Sequence, residues 1–175
     1  WDELGGAPEN ELQISTAGVQ TTTIGQISVA RLKAGSIAVV WNALRDVPGE
    51  WDVLGRVVSA DGTPVSDEFE LTAASEGHEN SPSVIALDDG GFLAAWSDSQ
   101  ETGRDLVARR FEADGSPAAG EFLVHPDETL MFTSPQLLEV SAGRVLVGWE
   151  DYHKERLLTR IVGLDSPSEM AVPLT

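Results

Sequence analysis

Carboxylates are the side chains most available for chemistry in this sequence, since 29 Asp and Glu stand against 11 Lys and Arg, with 3 His and no Cys. Asp98, Glu101 and Asp105 surround one polar stretch, Ser97 to Arg104. Hard cations favour such a set, because calcium takes about six to eight oxygen ligands from carboxylates and carbonyls. Calcium at Asp98, Glu101 and Asp105 is therefore the candidate cofactor site. Asp88, Asp89, Glu150 and Asp151 are further acids in turns or at strand ends. None of these stretches matches an EF-hand loop or a glycine-rich calcium nonapeptide, and an Asp in a turn ordinarily bonds its own backbone.

Aromatic side chains supply the second kind of chemistry. Trp51 and Tyr152 lie beside polar loops, where a ring face can stack on a sugar, and they are the candidate ligand-binding residues. Trp41, Trp96 and Trp149 differ: each ends an apolar run at a matched position, which suits filling the gap between two sheets. Signatures of catalysis are missing. The sequence contains no Gly-x-Ser-x-Gly elbow, no His-Glu-x-x-His, no phosphate loop and no dinucleotide fingerprint. His78, His125 and His153 have no repeated acid or nucleophile beside them and read as surface residues. A glycosidase needs only two placed carboxylates, which this chain has in number but without a motif to single them out.

Composition narrows the partners. A formal net charge of −18 disfavours nucleic acid and anionic membrane surfaces, both of which repel such a chain. Without cysteine there is neither a disulfide framework nor a thiolate metal site. No apolar run approaches the roughly 20 residues that span a bilayer as a helix. Because the sequence opens at Trp1 with no signal-like start, it reads as a processed product or an excised piece.

The elements that would position these groups recur along the chain. Trp41, Trp96 and Trp149 each have a glycine six residues earlier (Gly35, Gly90, Gly143) and an aliphatic residue nine earlier (Leu32, Leu87, Val140). Asp61-Gly62 returns as Asp114-Gly115, and Glu68-Phe69 as Glu121-Phe122, each after 53 residues. Arg56, Arg109 and Arg160 form a third set. Such a period marks a repeat architecture, with units at 24–80, 81–133 and 134–175.

Each unit predicts four short strands between turn signals, and helical periodicity is nowhere sustained. In the middle unit these are Ser83 to Leu87, Phe92 to Trp96, Asp105 to Phe111 and Glu121 to His125. The first gives Ile27 to Leu32, Ile37 to Trp41, Asp52 to Val58 and Glu68 to Thr72; the third gives Gln136 to Val140, Val145 to Trp149, Leu157 to Val162 and Met170 to Leu174. Asp105 with Arg109, and Asp52 with Arg56, share a strand face about 13 Å apart and suit a polar ladder between neighbouring units. Residues 1–23 read as the last strand of a preceding unit, because Glu11 to Ser15 aligns with Glu68 to Thr72. The fold class expected is all-β: a propeller-like array of three four-stranded antiparallel units plus one extra N-terminal strand.

The middle unit, with Ser81-Pro82, Gly90-Gly91, Trp96, Asp105, Arg109, Asp114-Gly115 and Glu121-Phe122, resembles the propeller-like repeats of large secreted bacterial surface proteins. Those repeats often stand beside calcium-binding, adhesin-type modules. The likeness extends over residues 24–175, with Gln26-Ile27 in place of Ser-Pro in the first unit and Arg156 where Asp52 and Asp105 stand in the others. It implies a secreted or cell-surface bacterial protein: a non-catalytic structural or adhesion module. The partners expected are other chains or further copies of itself, joined through unpaired edge strands. A carbohydrate-binding module and a fragment of a propeller-type hydrolase are the alternatives.

Overall fold

The computed structural model describes residues 12–16, 21–45, 50–72, 77–100, 103–127, 135–151, 155–165 and 172–173. Three antiparallel sheets hold the twelve strands of the described residues. The first sheet is β1 (Thr21–Arg31), β2 (Ile37–Arg45), β3 (Trp51–Val58) and β4 (Phe69–Glu70), ordered β1-β2-β3-β4. The second repeats the meander with β5 (His78–Ala86), β6 (Phe92–Gln100), β7 (Gly103–Phe111) and β8 (Phe122–Asp127). The third consists of β9 (Gln136–Ser141), β10 (Arg144–Asp151), β11 (Arg156–Gly163) and β12 (Val172–Pro173). The all-β, propeller-like reading of the repeat therefore holds.

The recurrent glycine closes the first hairpin of every sheet. Gly35, Gly90 and Gly143 sit at φ +96°, +106° and +70°, a region that a Cβ disfavours. In the first two sheets the turn is locked identically, with Leu32 N–H donating to Ser36 O at 2.8 Å and Leu87 N–H to Gly91 O at 2.9 Å. The apolar run behind the glycine is the second strand, covered on both faces. One face of the first sheet (Leu32, Val40, Val53, Val57) packs against Val84, Phe92, Trp96 and Phe111 of the second. The other face of the second (Leu87, Leu93, Leu106, Val124) packs against Val145, Val147, Trp149 and Val162 of the third. Trp96 is fully buried between sheets and Trp149 nearly so, as a packing role requires.

The expected polar ladder also exists, although its acceptors are backbone carbonyls. Arg109 Nη1 donates to Leu71 O of the preceding sheet at 3.1 Å, and Arg160 Nη1 donates to Val124 O of the sheet before it. Arg56 Nη1 makes the same bond to Ile14 O at 2.8 Å. Residues 12–16 thus stand where a preceding unit would place its last strand. Thr16 N–H on Glu68 Oε2 at 2.9 Å and Ile14 packed on the cluster of Val39, Trp41, Ala43, Leu54 and Val58 hold them there, without ladder pairing of their own.

The strands exceed their apolar cores at one end of the arc. β1 begins at Thr21 and β5 at His78, well before Ile27 and Ser83, while β6 runs on to Gln100 and β7 starts at Gly103. The polar stretch from Ser97 to Arg104 is largely paired strand. Cross-strand backbone pairing continues past the point where the side chains turn polar, so the polar residues are held in register.

Candidate functional site

That polar end gathers carboxylates from several strands. Along the second sheet, Glu79 of β5 pairs with Asp98 of β6, and Asp98 pairs with Asp105 of β7. Directly opposed residues share a face, with Cβ atoms about 5 Å apart. Asp52 approaches from β3 of the first sheet close enough to hydrogen-bond Glu79. A β-bulge between Asn80 and Ser83 lies beside the cluster, with Ser81 at φ +56°. Bulges re-aim side chains, and this one separates the apolar body of β5 from its acidic beginning.

Glu79 is the chemically distinctive member. It is 2% exposed, and its Oε2 has no hydrogen-bond partner. Burial, followed by the charges of Asp52 and Asp98, pushes its pKa up to about 8. A proton on Glu79 also satisfies the hydrogen bond to Asp52, which two ionised carboxylates could not share. At neutral pH the site therefore holds a neutral carboxylic acid among carboxylates, the pairing that acid–base catalysis needs. Beside it, Asn42 Nδ2 donates to Asn80 Oδ1 at 2.9 Å, and both residues lie between the first and second sheets.

Trp51 belongs to the same end. It is half-buried, adjoins Asp52, and donates its backbone N–H to His78 Nδ1 at 3.2 Å, next to Glu79. Tyr152 and Glu101, the other members of the expected ligand and calcium sets, lie outside the described residues, as does His153. Asp98 and Asp105 are brought side by side as cross-strand partners. Among the described residues no group of three or more His, Cys, Asp or Glu is arranged to hold a metal ion. Asp151 is fully buried and pairs with Arg156 at 3.1 Å, so the third sheet has an ion pair where the second has two acids. Asp89 accepts from Gly91 N–H at 3.0 Å and pairs with Arg110 at 2.6 Å, which is turn chemistry at the β5–β6 hairpin. His125 packs its ring on Trp149 with centroids 5.1 Å apart.

Glu79 and its contact with Asp52 do not stand out in the sequence, because the stretch before Ser83 has no apolar alternation. A signal does exist in the register. Ile24 pairs with Ala43 in the first sheet as Glu79 pairs with Asp98 in the second. An aliphatic pair is replaced by two acids, and a repeat that breaks its own pattern with charge marks a site.

Comparison with known proteins agrees with the fold. No family model matches the chain, and no curated protein does. Solved structures do. An α-L-arabinofuranosidase from Podospora anserina in complex with cellotriose aligns over 91% of this chain and 52% of its own, with a TM-score of 0.55 and 11% identity. The catalytic domain of a GH62 α-L-arabinofuranosidase from Coprinopsis cinerea aligns over 91% and 51%, with a TM-score of 0.54 and 10% identity. A GH62 hydrolase in complex with xylotriose aligns over 83% and 48%, with a TM-score of 0.51 and 9% identity. The chain spans about half the length of the structures it matches. These neighbours overturn the expectation of a non-catalytic structural or adhesion module. The architecture is one that glycoside hydrolases use.

Proposed function

We propose that this chain is part of a propeller-type glycoside hydrolase, acting outside the cell on a neutral polysaccharide or oligosaccharide. Glu79 supports this most directly: a buried carboxyl, neutral at pH 7, with one oxygen unpartnered and the Asp52 and Asp98 carboxylates beside it. Hydrolysis of a glycosidic bond requires a proton for the departing oxygen and a carboxylate facing the sugar ring. Glu79 supplies the first. The second role falls to Asp98, the cross-strand partner of Glu79, activating water or stabilising positive charge at the anomeric carbon, while Asp52, hydrogen-bonded to Glu79, positions the acid. Trp51 offers a ring face to the sugar, and losing it removes roughly 1.5 kcal/mol of apolar contact, about tenfold in KM.

The test is release of reducing sugar from a panel of neutral arabinose-, xylose- and glucose-containing glycans, with aryl glycosides alongside. Wild-type protein is expected to release product, and Glu79→Gln to lose about two to four orders of magnitude in kcat with an unchanged circular dichroism spectrum. Turnover undiminished in Glu79→Gln would remove the acid role. Binding of glycans without release by wild type, lost in Trp51→Ala, would instead make the site a carbohydrate-binding one.

A further inference from the structure

The start of β5 is fastened to the first sheet at three successive residues. His78 Nδ1 accepts from Trp51 N–H at 3.2 Å, Glu79 shares a hydrogen bond with Asp52, and Asn80 Oδ1 accepts from Asn42 Nδ2 at 2.9 Å. The three differ in their surroundings. His78 is exposed, so water competes for its bond, whereas Asn42 is 5% exposed and follows Val40 on the face of β2 that packs against the second sheet. Breaking an amide pair in that setting leaves buried polar groups unsatisfied, so the Asn42–Asn80 bond is the one that holds its geometry.

The bulge gives this bond its importance. Ser81, at φ +56°, interrupts β5 between the apolar residues that begin at Ser83 and the polar ones that end at Asn80. A bulge breaks the alternation of a strand, so the packing of Val84 on the first sheet does not fix the direction of Glu79. A strained backbone of this kind persists only where its neighbours over-determine it. Asn80 is the residue between Glu79 and the bulge, and Asn42 holds it.

The first sheet makes room for the pair. Gly25 corresponds to Asn80, each sixteen residues before its tryptophan, Trp41 or Trp96. Both positions adjoin a shift of register, between Ile24 and Ile27 in β1 and between Asn80 and Ser83 in β5. A Cβ at Gly25 would lie 2.5 Å from Asn42 Oδ1, an atom that is buried without a hydrogen-bond partner. The Asn42 carboxamide thus fills the space that the glycine leaves.

We propose that Asn42 is a positioning residue for Glu79: through Asn80 it holds the start of β5 on the first sheet and keeps the Glu79 carboxyl buried, in a space that Gly25 leaves open. The assignment rests on the reading of Glu79 as the acid. The ionisable groups around that carboxyl are Asp52 from β3 and Asp98 from β6, with Asp105 of β7 opposite Asp98 and His78 on its own strand. Burial is the first cause of its raised pKa, so a β5 that lifts from the first sheet admits water and brings the value down.

NMR titration of the isotope-labelled glutamate carboxyl resonances of the full chain tests this, the Glu79 signal being the one lost in Glu79→Gln. The wild-type midpoint is expected at about 8. Asn42→Ala is expected to lower it by about one pH unit or more, with unchanged circular dichroism. Gly25→Ala is expected to do the same, and gives the reading even where Asn42→Ala fails to fold. Gly25 lies outside the left-handed region, so alanine there displaces the Asn42 amide without backbone strain. Asn80→Asp, whose carboxylate still accepts from Asn42, is expected to keep the midpoint raised. In turnover of an aryl glycoside at pH 8, Asn42→Ala and Gly25→Ala are expected to lose about fivefold in kcat with KM unchanged, as the protonated fraction falls. A midpoint unmoved in Asn42→Ala or in Gly25→Ala, or one that falls as far in Asn80→Asp, would overturn the positioning role and leave Glu79 as the acid. A wild-type Glu79 that titrates in the ordinary carboxylate range would overturn both together. Midpoints that move as expected in a chain without turnover would support the positioning of Glu79 and remove the hydrolase reading.

Discussion

Glu79 keeps its proton where a glutamate in the unfolded chain has lost it, and this ties the site to stability. Its pKa rises from 4.5 to about 8 on folding, through burial first and the Asp52 and Asp98 charges next. Between those values the folded state binds more protons than the unfolded state, so unfolding free energy falls as pH rises through that window. Below about 4.5 both states are protonated at this residue and its contribution is fully present; above about 8 it has been lost. Glu79→Gln keeps the shape of the neutral acid without a proton to lose. Thermal melts from pH 4 to 9 are therefore expected to show a steeper decline for wild type than for Glu79→Gln, the two curves diverging towards pH 8. Parallel curves would mean that Glu79 is not the buried acid described here. The same titration sets an activity limit: turnover that depends on Glu79 as proton donor is expected to decline as pH rises through about 8.

Turns and strands account for what the sequence made legible. Gly90-to-Trp96 and its copies announced the hairpin turn and the covered second strand, because a positive φ and an apolar run leave local marks. The polar ends of β5, β6 and β7 left none, since their register is imposed by pairing with neighbours rather than by alternation, and Glu79 was hidden there. Asp114 and Asp61 were legible for the opposite reason: each bonds its own turn. Asp114 accepts from the Ser116 hydroxyl at 2.6 Å and from Ser116 N–H at 2.9 Å, which hold its carboxyl below the usual range, and Asp61 is lowered to about 2 by Ser59 and Thr63. Beyond such local chemistry, the turns differ in what surrounds them. A methyl group added at Gly90, φ +106°, would meet nothing within 4 Å, whereas at Gly115, φ +90°, it would lie 2.5 Å from Phe69 of the preceding sheet. Phe69 also leans on Phe111 with centroids 5.6 Å apart, so it has little room to yield. Gly90→Ala is expected to cost about 1 kcal/mol of backbone strain and Gly115→Ala roughly 2–3 kcal/mol, strain plus overpacking. Urea denaturation of both variants checks the order, and equal losses would show that Phe69 moves aside freely.

Charge acts at the scale of the whole molecule. A formal −18 on 175 residues sets up a field that extends over the polar ends of the sheets, where Asp52, Glu79, Asp98 and Asp105 converge. Neutral sugars carry no charge, so a neutral glycan approaches this end without electrostatic cost, while a uronate-rich one is repelled in proportion to its own density of carboxylates. Repulsion between exposed charges decays over a Debye length of about 10 Å at 0.1 M salt and about 3 Å at 1 M. Association with a polyanion is therefore expected to be undetectable at low ionic strength and to improve as salt is raised, whereas association with a neutral arabinose- or xylose-containing polymer should be nearly salt-independent. Affinity electrophoresis through gels carrying one polymer or the other distinguishes these cases. Retardation by the uronate-rich polymer at low salt, weakening as salt is added, would require a cationic binding surface; Lys33, donating to Asp88 O at 2.6 Å, and Arg110, paired with Asp89, are engaged within the protein rather than gathered into one.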